Sequence, residues 1–253
     1  MMKFNNKNIN KMYIGDTLVN RVNDGDFQYM AKHDYSQDYL TFEALESGTF
    51  TFTPRNSNVI SYSTDGGETW TEGNSVEVNS GDKVMWKGTM TPYSNYGIGS
   101  FSSTANFDIQ GNAMSLLYGD NFKGQTDLTE KYYALYQLFY QNTKVISAEN
   151  LSLPATTLVT RCYANMFYGC TSLTTAPELQ ATTLVNACYR QMFYNCTSLN
   201  YIKCLATNAA ENDYTYRWVS GVAANGTFIK AASMNDWTTG TSGIPDGWTI
   251  ENE

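Results

Sequence analysis

The sequence predicts an α+β chain built in series: an N-terminal β arm, a small antiparallel β-sandwich, then a short repeat solenoid. Residues 153–178 (LPATTLVTRCYANMFYGCTSLTTAPE) and 179–204 (LQATTLVNACYRQMFYNCTSLNYIKC) align without gaps and share 15 of 26 positions. Such a match marks a repeat architecture. Residues 40–122 alternate apolar and polar side chains between regularly spaced turn signals, as sandwich strands do. The first forty residues are polar, with two strand candidates around Gly15-Asp16 and Asp24-Gly25. The expected divisions are an arm at 1–40, the sandwich at 41–122, a solenoid of about four turns at 123–236 and a C-terminal cap at 237–253.

Within each repeat the apolar residues return at helical spacing. Cys162, Met166 and Cys170 follow i, i+4, i+8, as do Cys188, Met192 and Cys196, which predicts two helices with one buried face each. Phe167 and Phe193 widen that face, and Leu173 and Leu199 open a short extended segment. These ten residues are the predicted core. A single unit cannot bury its own stripe, so neighbours must stack. Fainter copies are expected upstream, at Leu138-Phe139-Tyr140, and downstream, where Trp218 falls one repeat after Met192. Thr129-Glu130 reads as the entry to the first helical unit.

The five cysteines (162, 170, 188, 196, 204) then become small core side chains. Packed helices sit about 8–10 Å apart, beyond the roughly 7 Å reach of a disulfide, so free thiols are expected. Zinc is not expected: no Cys-x-x-Cys pair exists, and the one histidine, His33, is remote in sequence.

In the sandwich segment, Thr49-Phe50-Thr51-Phe52-Thr53, Val76-Glu77-Val78 and Val84-Met85-Trp86 alternate as strands. Asp65-Gly66-Gly67 between ISYS and ETWTEG signals a hairpin. The spacing Ser63-x-Asp65-x-Gly67-x-Thr69-Trp70 resembles the Asp-box of sialidases and other glycan-cleaving β-propellers. In an Asp-box these residues brace a hairpin away from the catalytic centre. A propeller of about six four-stranded blades would consume the whole chain, and Arg55 is the one arginine in this region. The motif is therefore read as a turn. Trp237 and Trp248 in the tail are read as a hydrophobic lid.

Bulk composition excludes several partners. The net charge is −8 and no run of Lys or Arg occurs, which argues against nucleic acid and anionic membrane. No segment approaches the roughly 20 apolar residues of a membrane span. The start, MMKFNNKNINKMYIGDTLVN, lacks the apolar stretch of about 7–15 residues of a secretory signal. No nucleotide loop, nucleophile elbow or metal motif is present, so no cofactor and no catalytic residue is assigned. The arm is too small and polar to hold a core alone, so a partner chain is expected to hold it.

The two CYxxMFYxCTSL stretches (residues 162–173 and 188–199) with their ATTLV loops resemble BspA-type leucine-rich repeats over about residues 130–236. That resemblance implies an adhesive or display module, not an enzyme. YIGDTLV (13–19) is similar to a segment near the start of virion proteins of Bacteroides phages, including crAss-like ones. Together these resemblances imply a virion structural protein, a head- or tail-fibre appendage. It would be made in the host cytoplasm, anchored to other virion proteins by residues 1–40, and homo-oligomeric, by analogy a trimer. A host glycan or surface protein is the expected external partner. Thr174, Thr175, Asn200 and Tyr201, on the strand side, are the candidate ligand contacts. The competing readings are a bacterial cell-surface adhesin or carbohydrate-binding module, and a glycoside hydrolase, which would need paired carboxylates in a pocket.

Overall fold

The computed structural model describes residues 33–93, 95–208 and 213–253, and the backbone of three strands before them. The chain divides into two compact units, Met1–Asp34 and Tyr35–Glu253. The first holds β1 (Met12–Ile14), β2 (Thr17–Arg21) and β3 (Phe27–Ala31), paired antiparallel in that order. The predicted turn residues Gly15-Asp16 and Asp24-Gly25 lie outside the described residues.

The second unit opens on a sandwich. Its larger sheet contains β4 (Leu40–Ala44), β6 (Ile60–Ser63), β7 (Thr71–Glu72), β9 (Lys83–Gly88), β11 (Phe107–Asn112) and β12 (Val145–Ser152). Their order is β12-β11-β4-β9-β6-β7. The smaller sheet places β5 (Gly48–Pro54) between β10 (Gly99–Ser103) and β8 (Ser75–Val78). Strict alternation puts Phe50 and Phe52 on the inner face of β5, where they meet Phe42, Phe101 and Phe107, with Trp86 packed behind on Phe42 and Phe101, all essentially inaccessible. Phe42 packs edge-on to Phe101 at 4.7 Å and to Phe50 at 5.5 Å, the preferred aromatic geometry. Near the end of β11, Gly111 has φ 83°, and a Cβ there would collide with the Tyr39 carbonyl, so only glycine fits.

β12 belongs to two things at once. It pairs parallel with β11 of the sandwich, and through Ser147 it bridges Thr175, which bridges Tyr201. Parallel pairing continues through β13 (Tyr201–Cys204), β14 (Thr227–Lys230) and β15 (Thr249–Asn252). The sandwich and the repeats are therefore joined by backbone hydrogen bonds, not tethered by a linker.

The predicted helices are absent. Residues 162–170 and 188–196 form strings of tight turns, and the helices among the described residues are a four-residue piece, Ser115–Tyr118, and two 3-10 turns. The unit is mostly β, and the α+β expectation is corrected accordingly. Asp127, whose carboxylate accepts from the Thr129 N–H and hydroxyl, leads into Glu130 at φ 65°, so Thr129-Glu130 does not open a helix.

The turn strings have their own rule. Every second N–H bonds three residues back within the string: Met166 to Tyr163 at 3.2 Å, Tyr168 to Asn165 at 3.2 Å, Cys170 to Phe167 at 3.0 Å. The intervening N–H groups donate to the next layer: Asn165 to Arg190 at 2.9 Å, Phe167 to Met192 at 2.9 Å, Gly169 to Tyr194 at 2.7 Å. The same alternation recurs in strings at 133–142 and 187–196, and in part at 214–222, where Val219 donates to Thr241 and Arg217 to the Ser242 hydroxyl. Every fourth residue sits at positive φ: Arg161, Asn165 and Gly169 in one layer; Ala187, Gln191 and Asn195 in the next. A repeat of four residues returns Cys162, Met166 and Cys170 to the interior just as a helix of 3.6 would, which is why the spacing misled.

Left-handed backbone costs a non-glycine residue about 1–2 kcal/mol, most for β-branched side chains. In a helix interior glycine would be the poorer choice by about 1 kcal/mol. The two architectures thus predict opposite mutational orders. At Gln191 we expect Gly to hold or raise the denaturation midpoint and Val to lower stability by about 1–2 kcal/mol. The reverse order would refute the turn string.

The layers share one aromatic column. Phe101 of the sandwich stacks on Phe139 at 5.8 Å, Phe139 on Phe167 at 5.2 Å, and Phe167 on Phe193 at 5.7 Å. Phe193 meets Trp218 at 6.0 Å, and Trp218 meets Trp237 edge-on at 5.7 Å. Cys162, Met166, Phe167, Cys170, Leu173, Cys188, Met192, Phe193, Cys196 and Leu199 are all fully buried around this column. Trp237 and Trp248 close its end, each donating its indole N–H to a backbone carbonyl, of Asn208 at 2.8 Å and Ala223 at 2.7 Å.

Candidate functional sites on the two faces of the repeats

The outer face of the strands carries one in-register row. Lys83 pairs with Glu43, Glu43 with Asp108 and Asp108 with Ser147. The row continues through Thr175, Tyr201, Thr227 and Thr249. Two of the four predicted contacts, Thr175 and Tyr201, lie on this row and are half-buried. Thr174 lies one residue off it, and its hydroxyl is engaged, donating to the Ile146 carbonyl at 3.0 Å. Asn200 is exposed beside Tyr201, and its carbonyl accepts from the Thr227 N–H at 2.9 Å. The structure thus aligns two of the four and uses the others partly for backbone pairing.

Charge on this face of the repeats is predominantly acidic, with Lys203 held between two carboxylates. Lys203 lies between Glu253 at 2.6 Å and Glu178 at 3.2 Å. Burial alone would push its ammonium down, but those two carboxylates outweigh it and hold the pKa above its usual value. Asp108 was not singled out in the sequence. Burial first, then the cross-strand carboxylate of Glu43, raises its pKa, and its Oδ1 is buried with no partner among the described residues. Two carboxylates directly opposite on adjacent strands disfavour double ionisation. Their alignment requires the β4–β11 register, which no local motif encodes.

The hairpin at residues 61–72 is braced as the motif requires. Ser63 donates to Asp65 at 2.7 Å and accepts the Gly67 N–H at 2.9 Å. Asp65 accepts the Thr69 hydroxyl at 2.5 Å and its N–H at 3.0 Å, and these bonds hold its carboxyl well below the usual carboxylate range. A carboxylate committed to three donors is a poor general acid. Trp70 donates to the Gly67 carbonyl at 3.2 Å, and Lys87 lies over its ring at 4.1 Å. Lys87 also reaches Asp120 at 2.7 Å, which accepts from the Tyr39 hydroxyl at 2.7 Å, so this surface cluster pins the hairpin to β9 and the segment after β11.

The cysteine thiols are free and buried. The expected ground for this is revised. Layers joined by strand-like hydrogen bonds stack about 4.8 Å apart, well inside disulfide range, so helix separation is not the reason. Cys170 and Cys196 instead donate to the Phe139 and Phe167 carbonyls, each at 3.0 Å. No group of three His, Cys, Asp or Glu is placed to hold a metal ion, and no helix is long and apolar enough to cross a membrane, among the described residues.

The opposite side, formed by the turn strings, presents tyrosine and arginine. Tyr140, Tyr168 and Tyr194 stack face to face at 4.9 Å and 4.7 Å, and Arg217 lies over Tyr194 at 4.8 Å. Arg161 lies over Tyr133 at 5.6 Å and Arg190 over Tyr216 at 4.3 Å. Sequence reading passed over this array because its members come from four separate layers. The chain matches no known protein-family model, no characterised protein and no solved structure.

Proposed function

We propose that this chain is a non-enzymatic display module, a structural appendage of a phage virion whose stacked units form a short solenoid of BspA-type leucine-rich repeats. The observation that carries this reading is the shared aromatic column. The potentially nucleophilic thiols and the large side chains of the repeats are spent on holding layers together, and what faces outward is an extended, polar surface suited to contact. Recurrent units with a common core and variable outer positions are a physical basis for adhesion. The residues before Tyr35 serve as the attachment arm to other virion proteins, and the assembled form is a homotrimer.

Native mass spectrometry of the full chain and of residues 35–253 tests this. The full chain is expected to assemble as a trimer, while the shortened chain remains folded by circular dichroism and monomeric. Equal assembly of both would remove the arm from the proposal, and a chain that hydrolyses an aryl glycoside would remove the non-enzymatic reading.

A further inference from the structure

The turn-string face has a composition unlike the rest of the molecule. Residues 132–142, 160–170 and 186–196 contain no Asp or Glu, and residues 213–222 contain one, Asp213, in a chain of net charge −8, yet these strings hold Arg161, Arg190 and Arg217. Among the described residues no carboxylate lies within ion-pair distance of any of these three, whereas Lys83, Lys87 and Lys144 each have one and Lys203 has two. Each guanidinium rests on a tyrosine ring of another layer. Arg161 donates one N–H to the Tyr133 hydroxyl at 3.1 Å and Arg217 one to the Tyr194 hydroxyl at 3.2 Å. A guanidinium has five donors in a planar fork, so most of this capacity is unused among the described residues.

The placement is continuous. The ladder bonds align Tyr136 with Ala164, Arg190 and Tyr216, and Gln137 with Asn165, Gln191 and Arg217. Tyr136 lies in the fields of both Arg161 and Arg190. The stacked Tyr140, Tyr168 and Tyr194 spend their ring faces on one another and offer ring edges and hydroxyls. Columns of phenol, side-chain amide and guanidinium supply hydrogen bonds for sugar hydroxyls and bidentate sites for carboxylates. Aliphatic side chains, which a peptide-binding groove would need, are confined beneath.

We infer that this face binds a carboxylate-bearing polysaccharide, with Arg161, Arg190 and Arg217 pairing to sugar carboxylates and the tyrosine and amide columns to sugar hydroxyls. The inference rests on the adhesive reading and names its site and ligand class. It assigns binding to the turn strings and not to the strand side, where Glu149, Glu178 and Glu251 would repel the same ligand.

The test uses the full chain and three probes: polygalacturonate, neutral dextran and polyglutamate, by calorimetry at low and physiological salt. Polygalacturonate is expected to bind with affinity that falls as salt rises, dextran not to bind, and polyglutamate to bind at least about tenfold more weakly. The variant R161Q/R190Q/R217Q should lose at least about tenfold in affinity for polygalacturonate. Arg161 and Arg217 sit on left-handed backbone that glutamine already adopts at Gln137 and Gln191, and Arg190 does not, so the backbone tolerates the changes. Tyr168→Phe, which keeps the stack and deletes one hydroxyl, is the second variant and should weaken binding with an unchanged melting temperature. Lys203→Gln, on the strand side, should leave binding unaffected. Failure of polygalacturonate to bind, equal binding of polyglutamate, or full binding by both face variants would each overturn the inference. None of these outcomes alters the assembly measurement, so the two proposals fail separately.

Discussion

Phe167→Ala is expected to cost about 3–5 kcal/mol, the range for emptying a buried aromatic site. Phe167 is fully buried at the middle of the column, with Phe139 at 5.2 Å on one side and Phe193 at 5.7 Å on the other. Its backbone N–H and carbonyl both serve adjoining layers, the latter accepting the Cys196 thiol at 3.0 Å. Close hydrogen-bonded layers cannot slide together to fill the void, so the cavity term persists. Because a domain of this kind has about 5–15 kcal/mol in total, the variant should unfold at markedly lower urea concentration. Tyr168→Ala, its half-buried neighbour in sequence, is the control and should cost about 1–3 kcal/mol, the size of its two lost stacks on Tyr140 and Tyr194. A Phe167→Ala penalty below about 1 kcal/mol would mean that the layers do not share a core.

Alkaline pH should unfold the repeats steeply. Burial pushes the thiols of Cys188 and Cys204 up to about 12, and those of Cys162, Cys170 and Cys196 up as well. Burial also raises the phenols of Tyr163 and Tyr189. The raised values belong to the folded state, so the unfolded chain gives up these protons first. Their stabilising effect is complete below the unfolded thiol pKa near about 8.5 and is lost as pH climbs towards the folded values. Each thiol contributes a slope of about 1.4 kcal/mol per pH unit in that window, and the five act together. Stability should be level to about pH 8.5 and then collapse between roughly pH 9 and 11. Cys204→Ala should flatten the slope by about 1.4 kcal/mol per unit. A thiol reagent at pH 8 should label the native chain only at the rate of unfolding. Stability that stays level to pH 11 would show these thiols to be exposed.

Much of the interior was legible one residue at a time. The gapless match between 153–178 and 179–204 requires that each position return to the same environment, and Met166 and Met192 do so. The alternation of Thr49–Thr53 marked β5, and Ser63, Asp65 and Thr69 marked their own hairpin, because those interactions span a few residues. The turn strings were not legible. Nine residues of i, i+4, i+8 spacing fit a four-residue repeat and a 3.6-residue helix alike. The contrary signal was present: Asn165 and Gly169, spaced by four, and Asn195, one repeat after Gly169, are residue types that favour left-handed backbone. Arg161, Gln191 and Tyr133 occupy the same kind of position without that preference, which hid the pattern.

The sequence by itself determined the repeat length, the part of the buried column that lies in the repeats and the braced hairpin, since each rests on which side chains prefer to leave water or on bonds between near neighbours. Only the tertiary structure decided the backbone between them. Half of the N–H groups in the turn strings at 133–142, 161–170 and 187–196 find their acceptor in the next layer, so a lone unit would have every reason to close its bonds internally as a helix. Stacking supplies the outside carbonyls that make the turn string the better solution. The same stacking creates the tyrosine–arginine face, whose members stand a repeat apart in the chain and become neighbours only across layers.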